Sequence, residues 1–130
     1  MATDSYLIEL AAELYAVRDR AVPLRYTRRV ARGFEAHPHD CHTNADRWVQ
    51  LHPADTVVRG WFVLHLPLSS RPMTRFQAHS VVAGSSGRLL DITPREPTIP
   101  LPFLAHPDGN AMFDLIVSKH RIISLTHRMP

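Results

Sequence analysis

The sequence predicts an α+β fold in which an antiparallel sheet packs against an N-terminal helix and a second, cysteine-bearing helix. Three observations support this expectation. Apolar residues recur at helical spacing within residues 5–20, an apolar run at 57–66 has strand composition, and two shorter strand-like segments flank the turn 84–87. The length of 130 residues is typical of one domain, so we expect a single domain over residues 1–130.

The N-terminal pattern predicts an amphipathic helix from Ser5 to about Arg20, and Pro23 prevents its continuation. The apolar stripe of this helix comprises Leu7, Leu10, Ala11, Leu14 and Tyr15. We expect this helix to be structural.

A second helix is predicted from Cys41 to about Leu51, because Pro38 breaks the chain and Asp40 is a favoured N-cap residue. Four residues would share its inner face at helical spacing, namely Cys41, Ala45, Trp48 and Val49. The only cysteine of the chain would then lie in the first turn of a helix. Free backbone N–H groups and the positive end of the helix dipole stabilise a thiolate there.

The strand at 57–66 is apolar on both faces, which predicts a central strand. Strands at about 76–83 and 88–93 would form a hairpin around Ser85, with opposed residues summing to 170. In that register His79 lies opposite Asp91 on one face of the sheet, close enough for the carboxylate to bind the imidazole.

The remaining segments give weaker patterns. The proline-rich segment 95–107 is predicted to be extended and to pack across the surface, and 111–117 fits either a strand or a short helix. A last strand is expected at 121–126, whereas 24–34 fits neither element clearly.

The composition favours an ordinary globular protein with a net charge of +3. Six arginines lie between Arg18 and Arg32, but no nucleic-acid motif surrounds them, so we interpret them as a solvated face and expect no nucleic-acid partner. No apolar run approaches the roughly 20 residues that a membrane span needs, and the N-terminus does not have the pattern of a signal peptide. We therefore expect no membrane association and a cytoplasmic location, which the single cysteine fits.

The order Cys41, His79, Asp91 supplies a nucleophile, a general acid–base and a carboxylate that orients the imidazole. These residue types are what thiol chemistry requires near neutral pH. The alternative interpretation of Cys41 is a buried thiol that packs as a small hydrophobe.

The segment 36–94 resembles the transglutaminase-like branch of the papain-like cysteine enzymes. The resemblance rests on Cys41 with Ala45 four residues later, on Arg59-Gly60-Trp61, on the strand that begins at His79, and on Gly87-Arg88-Leu89-Leu90-Asp91-Ile92-Thr93. The chain also looks like a small group of uncharacterised bacterial proteins with Cys-x-x-Asn, Gly-Trp, His and Asp-x-Thr-Pro motifs, here Cys41 to Asn44, Gly60-Trp61, His79 and Asp91 to Pro94.

The resemblance implies acyl transfer or amide hydrolysis by a Cys41-His79-Asp91 triad on a peptide or another amide-containing substrate, without a cofactor. The backbone N–H of Cys41 would stabilise the oxyanion, worth roughly 3–4 kcal/mol per donor. A second donor would come from Asn44, Trp61 or Gln77.

Two other functions remain open at this point. A metal site would use His37, His39, Cys41 and His42, with His65 or His79 completing a tetrahedron, although adjacent ligands on one loop rarely do so. The second alternative is a non-catalytic binding module of the same fold.

Overall fold

The structure is a computed structural model that describes residues 2–67, 72–96 and 98–128. Within these ranges it contains three α-helices, a short 3-10 turn and six strands. The helices are α1 (Ala2–Ala16), α2 (Cys41–Leu51) and α3 (Asn110–His120), and the 3-10 turn is Arg18–Arg20. The strands are β1 (Val22–Leu24), β2 (Thr56–Leu66), β3 (Met73–Ala83), β4 (Leu89–Leu90), β5 (Leu101–Ala105) and β6 (Ser124–Arg128).

All six strands belong to one antiparallel sheet with the order β1-β5-β2-β3-β4, in which β6 also pairs with β3. The α+β class and the antiparallel sheet are therefore confirmed. Strand β2 is central, as its apolar character predicts, and it pairs with β3 along its whole length from Thr56↔Ala83 to Leu66↔Met73. The opposite side of β2 pairs with β5.

Side-chain alternation along β2 and β3 gives the sheet two apolar faces. The face toward α1 and α3 carries the largest cluster, which includes Leu14, Trp61, Phe76 and Phe113. The other face is filled by Leu24, Phe62, Val81 and Phe103. Helix α2 covers a third cluster of Ala45, Trp48, Val82 and Ile92. Burial of each large apolar side chain stabilises the fold by roughly 1.5–3 kcal/mol. The cluster that α2 shares with β3 therefore holds the helix in place against that strand.

The second half of the segment 95–107 is extended as predicted, but its expected surface position is wrong, because β5 lies inside the sheet with Phe103 and Leu104 buried. Prolines usually exclude a segment from a sheet interior, since they lack a backbone N–H. Here Pro102 faces Pro23 of β1, and the pairing with β2 uses only residues 103–105. Opposed prolines fit a non-hydrogen-bonded pair, where neither strand needs the missing donor.

The hairpin between β3 and β4 has a different register from the predicted one. Val82 pairs with Leu90 and Ala83 with Leu89, so opposed residues sum to 172 instead of 170. The loop comprises Ser85, Ser86 and Gly87, and Gly87 has a φ of 82°. Three-residue hairpin loops commonly place glycine at this left-handed position, which moves the turn centre by one residue. The shift of two positions keeps His79 and Asp91 on the same side of the sheet.

Several element boundaries also differ from the predictions. Helix α1 ends at Ala16, and residues 18–20 form the 3-10 turn, so the helix does not extend to Arg20. Residues 110–120 form a helix, and the last strand begins at Ser124 instead of 121. Helix α2 has the predicted bounds. None of the helices in the described ranges combines the length and apolar character needed to cross a bilayer.

The outer edge of β3 is interrupted in a way that positions the site. Strand β6 pairs with residues 73–77 and β4 pairs with residues 82 and 83. Within the described ranges, residues 79–81 have no strand partner on that side. The N-terminus of α2 reaches this interruption, which we call the β3 gap. His79 and Ser80 are adjacent in β3 and point to opposite faces, yet both reach the start of α2 through the gap.

Candidate active site

Cys41 is the first residue of α2 and is half-buried. The chain turns into the helix at His39, whose left-handed φ of 63° is uncommon outside glycine, and such conformations concentrate at functional sites. The carbonyl of Asp40 accepts the first helical bond from the Asn44 N–H at 2.9 Å, but the Asp40 side chain forms no capping hydrogen bond. The first-turn N–H groups therefore remain directed at the end of the helix where the sulfur lies.

His79 lies in β3 with its ring 4.1 Å from the Phe62 ring in a stacked arrangement. Its Nε2 donates to Oδ1 of Asp91 at 2.8 Å. The predicted contact between these two residues is therefore present despite the shifted register, because both side chains are long enough to bridge a diagonal. Since Asp91 occupies Nε2, the ring nitrogen left for the thiol is Nδ1.

Asp91 is fully buried, and its carboxylate accepts hydrogen bonds from His79, Thr93 and Arg95. Oδ1 also accepts the N–H of Thr93 at 3.3 Å, and Oδ2 accepts Nε of Arg95 at 3.0 Å. Burial raises the pKa of this carboxyl, but the hydrogen bond and charge of His79, followed by Arg95 and the Thr93 N–H, outweigh burial and lower it below its usual 3.8. The carboxylate is thus ionised at neutral pH.

The thiol of Cys41 lies beside two imidazole rings, those of His42 and His79. Burial raises the pKa of the thiol, but hydrogen bonds with His42 and then His79 outweigh burial and lower the pKa from 9.0 to about 6. Burial likewise lowers the pKa of His79, whereas its bonds with Asp91 and then Cys41 raise the pKa from 6.5 to about 9. Between these two values the favoured state is a thiolate beside an imidazolium.

His42 is held by a chain of polar groups on the other side of β3. Its Nδ1 lies 2.5 Å from the hydroxyl oxygen of Ser80, and that oxygen accepts Nη1 of Arg59 at 2.9 Å. Arg59 is itself fixed by Asp46 and Asp114, each at 2.9 Å. The start of α2 is therefore bound through both faces of β3, by His79 and by Ser80.

The three predicted side-chain donors lie in different places. Asn44 is buried; its Nδ2 donates to the carbonyl of His37 and to Oγ1 of Thr93, each at 2.9 Å, so it ties the loop before Cys41 to the segment after Asp91. The indole of fully buried Trp61 donates to Nδ1 of His106 at 3.1 Å on the α1 and α3 face. Gln77 is exposed on β3, opposite Phe62.

Of the histidines proposed as metal ligands, only His42 and His79 lie beside Cys41. In the parts of the chain that the structure describes, no three His, Cys, Asp or Glu side chains are placed to hold a metal ion. His37 and His39 are exposed, and the Nδ1 atom of His65 is 3.0 Å from the hydroxyl of Thr74.

A groove of about 430 Å³ opens beside the loop that leads into Cys41. One wall comes from that loop and the other from the segment that follows Asp91. The lining residues are Tyr26, Pro38, His39, Pro94, Arg95, Glu96 and Thr98. The groove gives an extended ligand a place beside the loop that leads into Cys41.

Sequence reasoning missed the roles of Arg95, Phe62 and Ser80. Arg95 follows Asp91 by four residues and its guanidinium also donates to the carbonyls of Ile99 and Leu24. The signal available for Ser80 was its position directly after His79, but alternation in a strand assigns adjacent residues to opposite faces. Only the β3 gap makes both residues available to α2.

No protein-family model matches the chain, and no curated protein or solved structure matches it either.

Proposed function

We propose that the protein catalyses thiol-dependent acyl transfer or amide hydrolysis, with Cys41 as nucleophile, His79 as general acid–base and Asp91 as the group that orients the imidazole. The observation that carries this proposal is the thiol beside an imidazole whose far nitrogen is bonded to a buried carboxylate. A packing thiol would need neither partner. Strongly shifted pKa values of this kind concentrate at functional sites.

The proposed reaction has two balanced steps. The Cys41 thiolate attacks the carbonyl carbon of the substrate and forms a C–S bond, while protonated His79 gives its proton to the leaving nitrogen as the C–N bond breaks. Neutral His79 then takes a proton from water or from an acceptor amine, which attacks the thioester and releases Cys41 as thiolate. The first-turn N–H groups of α2 would stabilise the oxyanion in both steps.

We further propose that residues 36–94 form a transglutaminase-like core of the papain-like type. The support is the arrangement of a helix that opens with Cys41, an antiparallel strand that carries His79, and a following segment that carries Asp91. A peptide or another amide-containing chain in the groove beside His39 is the substrate that this proposal favours. A single reactive thiol also fits a reducing compartment such as the cytoplasm.

Alkylation of Cys41 by iodoacetamide, measured against pH, tests the proposal. We expect a midpoint near pH 6 for the unmodified protein and a midpoint displaced toward 9 in His79→Ala, because the thiolate loses its cationic partner. Release of p-nitrophenol from a p-nitrophenyl ester should show an acylation burst that is absent in Cys41→Ala. A midpoint near 9 with no burst would indicate a binding module and contradict the proposal.

A further inference from the structure

His42 lies beside the thiol of Cys41 and helps to lower its pKa, and the proposed mechanism does not use it. It follows Cys41 in the first turn of α2 and is half-buried, with its ring centroid 5.8 Å from that of Phe113. Its Nδ1 is bonded to Ser80, which is fully buried in β3. The hydrogen bonds of His42 therefore determine which of its two ring nitrogens carries the hydrogen.

The hydrogen on the His42 ring is assigned by counting donors at Ser80. Within the described residues, the hydroxyl oxygen of Ser80 has two polar partners, Nη1 of Arg59 and Nδ1 of His42. A guanidinium can only donate, and a hydroxyl carries one hydrogen. If His42 also donated, that hydrogen would be buried without an acceptor, which costs roughly 1–3 kcal/mol. The satisfied arrangement is Arg59 to Ser80 to Nδ1 of His42.

This direction leaves the ring hydrogen of His42 on Nε2. The ring is then a fixed donor whose lone pair is already used, so it cannot accept the proton of the thiol. His79 is arranged in the opposite sense, because Asp91 holds its Nε2 hydrogen and leaves Nδ1 to exchange a proton with Cys41. At the sulfur of Cys41, the ring of His42 can therefore only donate a hydrogen bond, whereas the ring of His79 can exchange a proton.

We propose that His42 is a second functional imidazole of the site, a hydrogen-bond donor that Ser80 and Arg59 hold in its Nε2–H form to stabilise negative charge at the sulfur of Cys41. The inference rests on the proposed function of Cys41. Ser80 and Arg59 are positioning residues, and Asp46 and Asp114 fix the guanidinium that sets the direction of the chain.

The test measures thiolate formation directly, so it does not depend on a substrate. His42→Phe keeps the ring shape against Phe113 and removes the donor, and we expect alkylation of Cys41 at pH 7 to slow by about tenfold as the midpoint rises. His42→Gln places an amide N–H near the position of Nε2 and should recover most of that rate. Ser80→Ala frees the tautomer and should slow alkylation by about threefold.

His65→Phe is the matched control, because its ring is exposed at the far end of β2, and its alkylation profile should equal that of the unmodified protein. Thermal unfolding of each variant checks that the fold is retained. If His79→Ala raises the midpoint but folded His42→Phe does not, the role of His42 is contradicted while the proposed function stands. If the unmodified protein already has a midpoint near 9, the proposed function itself fails.

Discussion

Two buried histidines on opposite faces of the sheet have pKa values that are shifted in opposite directions. His79 and His106 are 6% and 5% exposed, and each lies against aromatic rings, so burial lowers the pKa of both. His79 has a carboxylate oxygen at 2.8 Å, and its pKa rises to about 9. His106 accepts an indole hydrogen from Trp61, and its pKa is lowered below 6.5 because burial outweighs the more distant charges of Asp108 and Glu13.

The difference shows that the partner decides the charge state, while burial sets only the penalty that the partner must exceed. A donor to Nδ1 favours the neutral ring of His106, whose Nε2 is buried without a hydrogen-bond partner in the described part of the chain. An ionised acceptor at Nε2 favours the cation of His79. Only the second arrangement can hold a thiolate beside it.

Replacement of the Asp91 carboxylate should make the charge state of His79 resemble that of His106, and this change has the largest expected effect. In Asp91→Asn the pKa of His79 should fall below its ordinary 6.5, because burial remains and the charge is gone. Iodoacetamide alkylation at pH 7 should slow by about 30-fold as the thiolate is lost. We expect a loss of about 3 kcal/mol in the free energy of unfolding by urea, since a buried ion pair loses one partner.

Asp19→Asn is the control for that change, because Asp19 is exposed in the 3-10 turn and should leave both quantities unaltered. Unchanged alkylation in Asp91→Asn would mean that the thiolate does not depend on the charge of His79.

Gly60 connects the two histidine regions and tests whether they share one scaffold. It pairs with His79 on one side and with Ala105, the neighbour of His106, on the other. A Cβ atom at this position would lie 2.2 Å from the carbonyl oxygen of Leu104. Gly60→Ala should therefore separate β2 from β5 and cost about 3 kcal/mol in urea unfolding.

Gly84→Ala is the matched control, since the atom nearest to an added Cβ there is 4.0 Å away. If Gly60→Ala has the same stability as Gly84→Ala, the close approach of β2 and β5 is not a constraint on the fold.

The smallest expected effect is in the pH dependence of stability, where the two histidines should act in opposite directions. The raised pKa of His79 stabilises the fold fully below 6.5, and this contribution is lost as pH rises through the raised value. The lowered pKa of His106 gives full stability above 6.5, and stability declines as pH falls toward the lowered value.

Urea unfolding across a pH series separates the two contributions in a Cys41→Ala background, which removes the thiol's own titration. His79→Gln should flatten the alkaline decline and His106→Gln the acid decline. Equal effects of both substitutions on the same side of the profile would contradict the comparison.

The parts of the site that can be predicted from the sequence are those that neighbouring residues specify. The start of α2 at Cys41 is predicted from Pro38 and Asp40 beside it, although the Asp40 side chain forms no capping hydrogen bond. The contact of His79 with Asp91 is predicted from a short hairpin. A register shift of two residues preserved that contact, because side chains alternate with a period of two and both residues stay on one face. These elements could be predicted from nearby residues.

The bonds of Ser80 and Arg59 to His42 and the strand β5 could not be predicted in the same way. The bonds depend on the β3 gap, whose limits are set by β4 and by β6, the last strand along the chain. The strand β5 depends on Pro102 meeting Pro23 about eighty residues away. Both depend on contacts between residues that are far apart in the sequence, so no short segment of the sequence predicts them.

The assembly of the site from separate elements determines when the pKa of the Cys41 thiol is lowered. The groups around Cys41 come from α2, β2, β3 and the segment after β4, and Asp114 of α3 fixes one of them. In an unfolded chain these groups are dispersed, and the thiol has its ordinary pKa of 9.0. At neutral pH the thiol of Cys41 is therefore largely ionised in the folded chain and largely protonated in the unfolded chain. Formation of the thiolate thus reports that folding is complete.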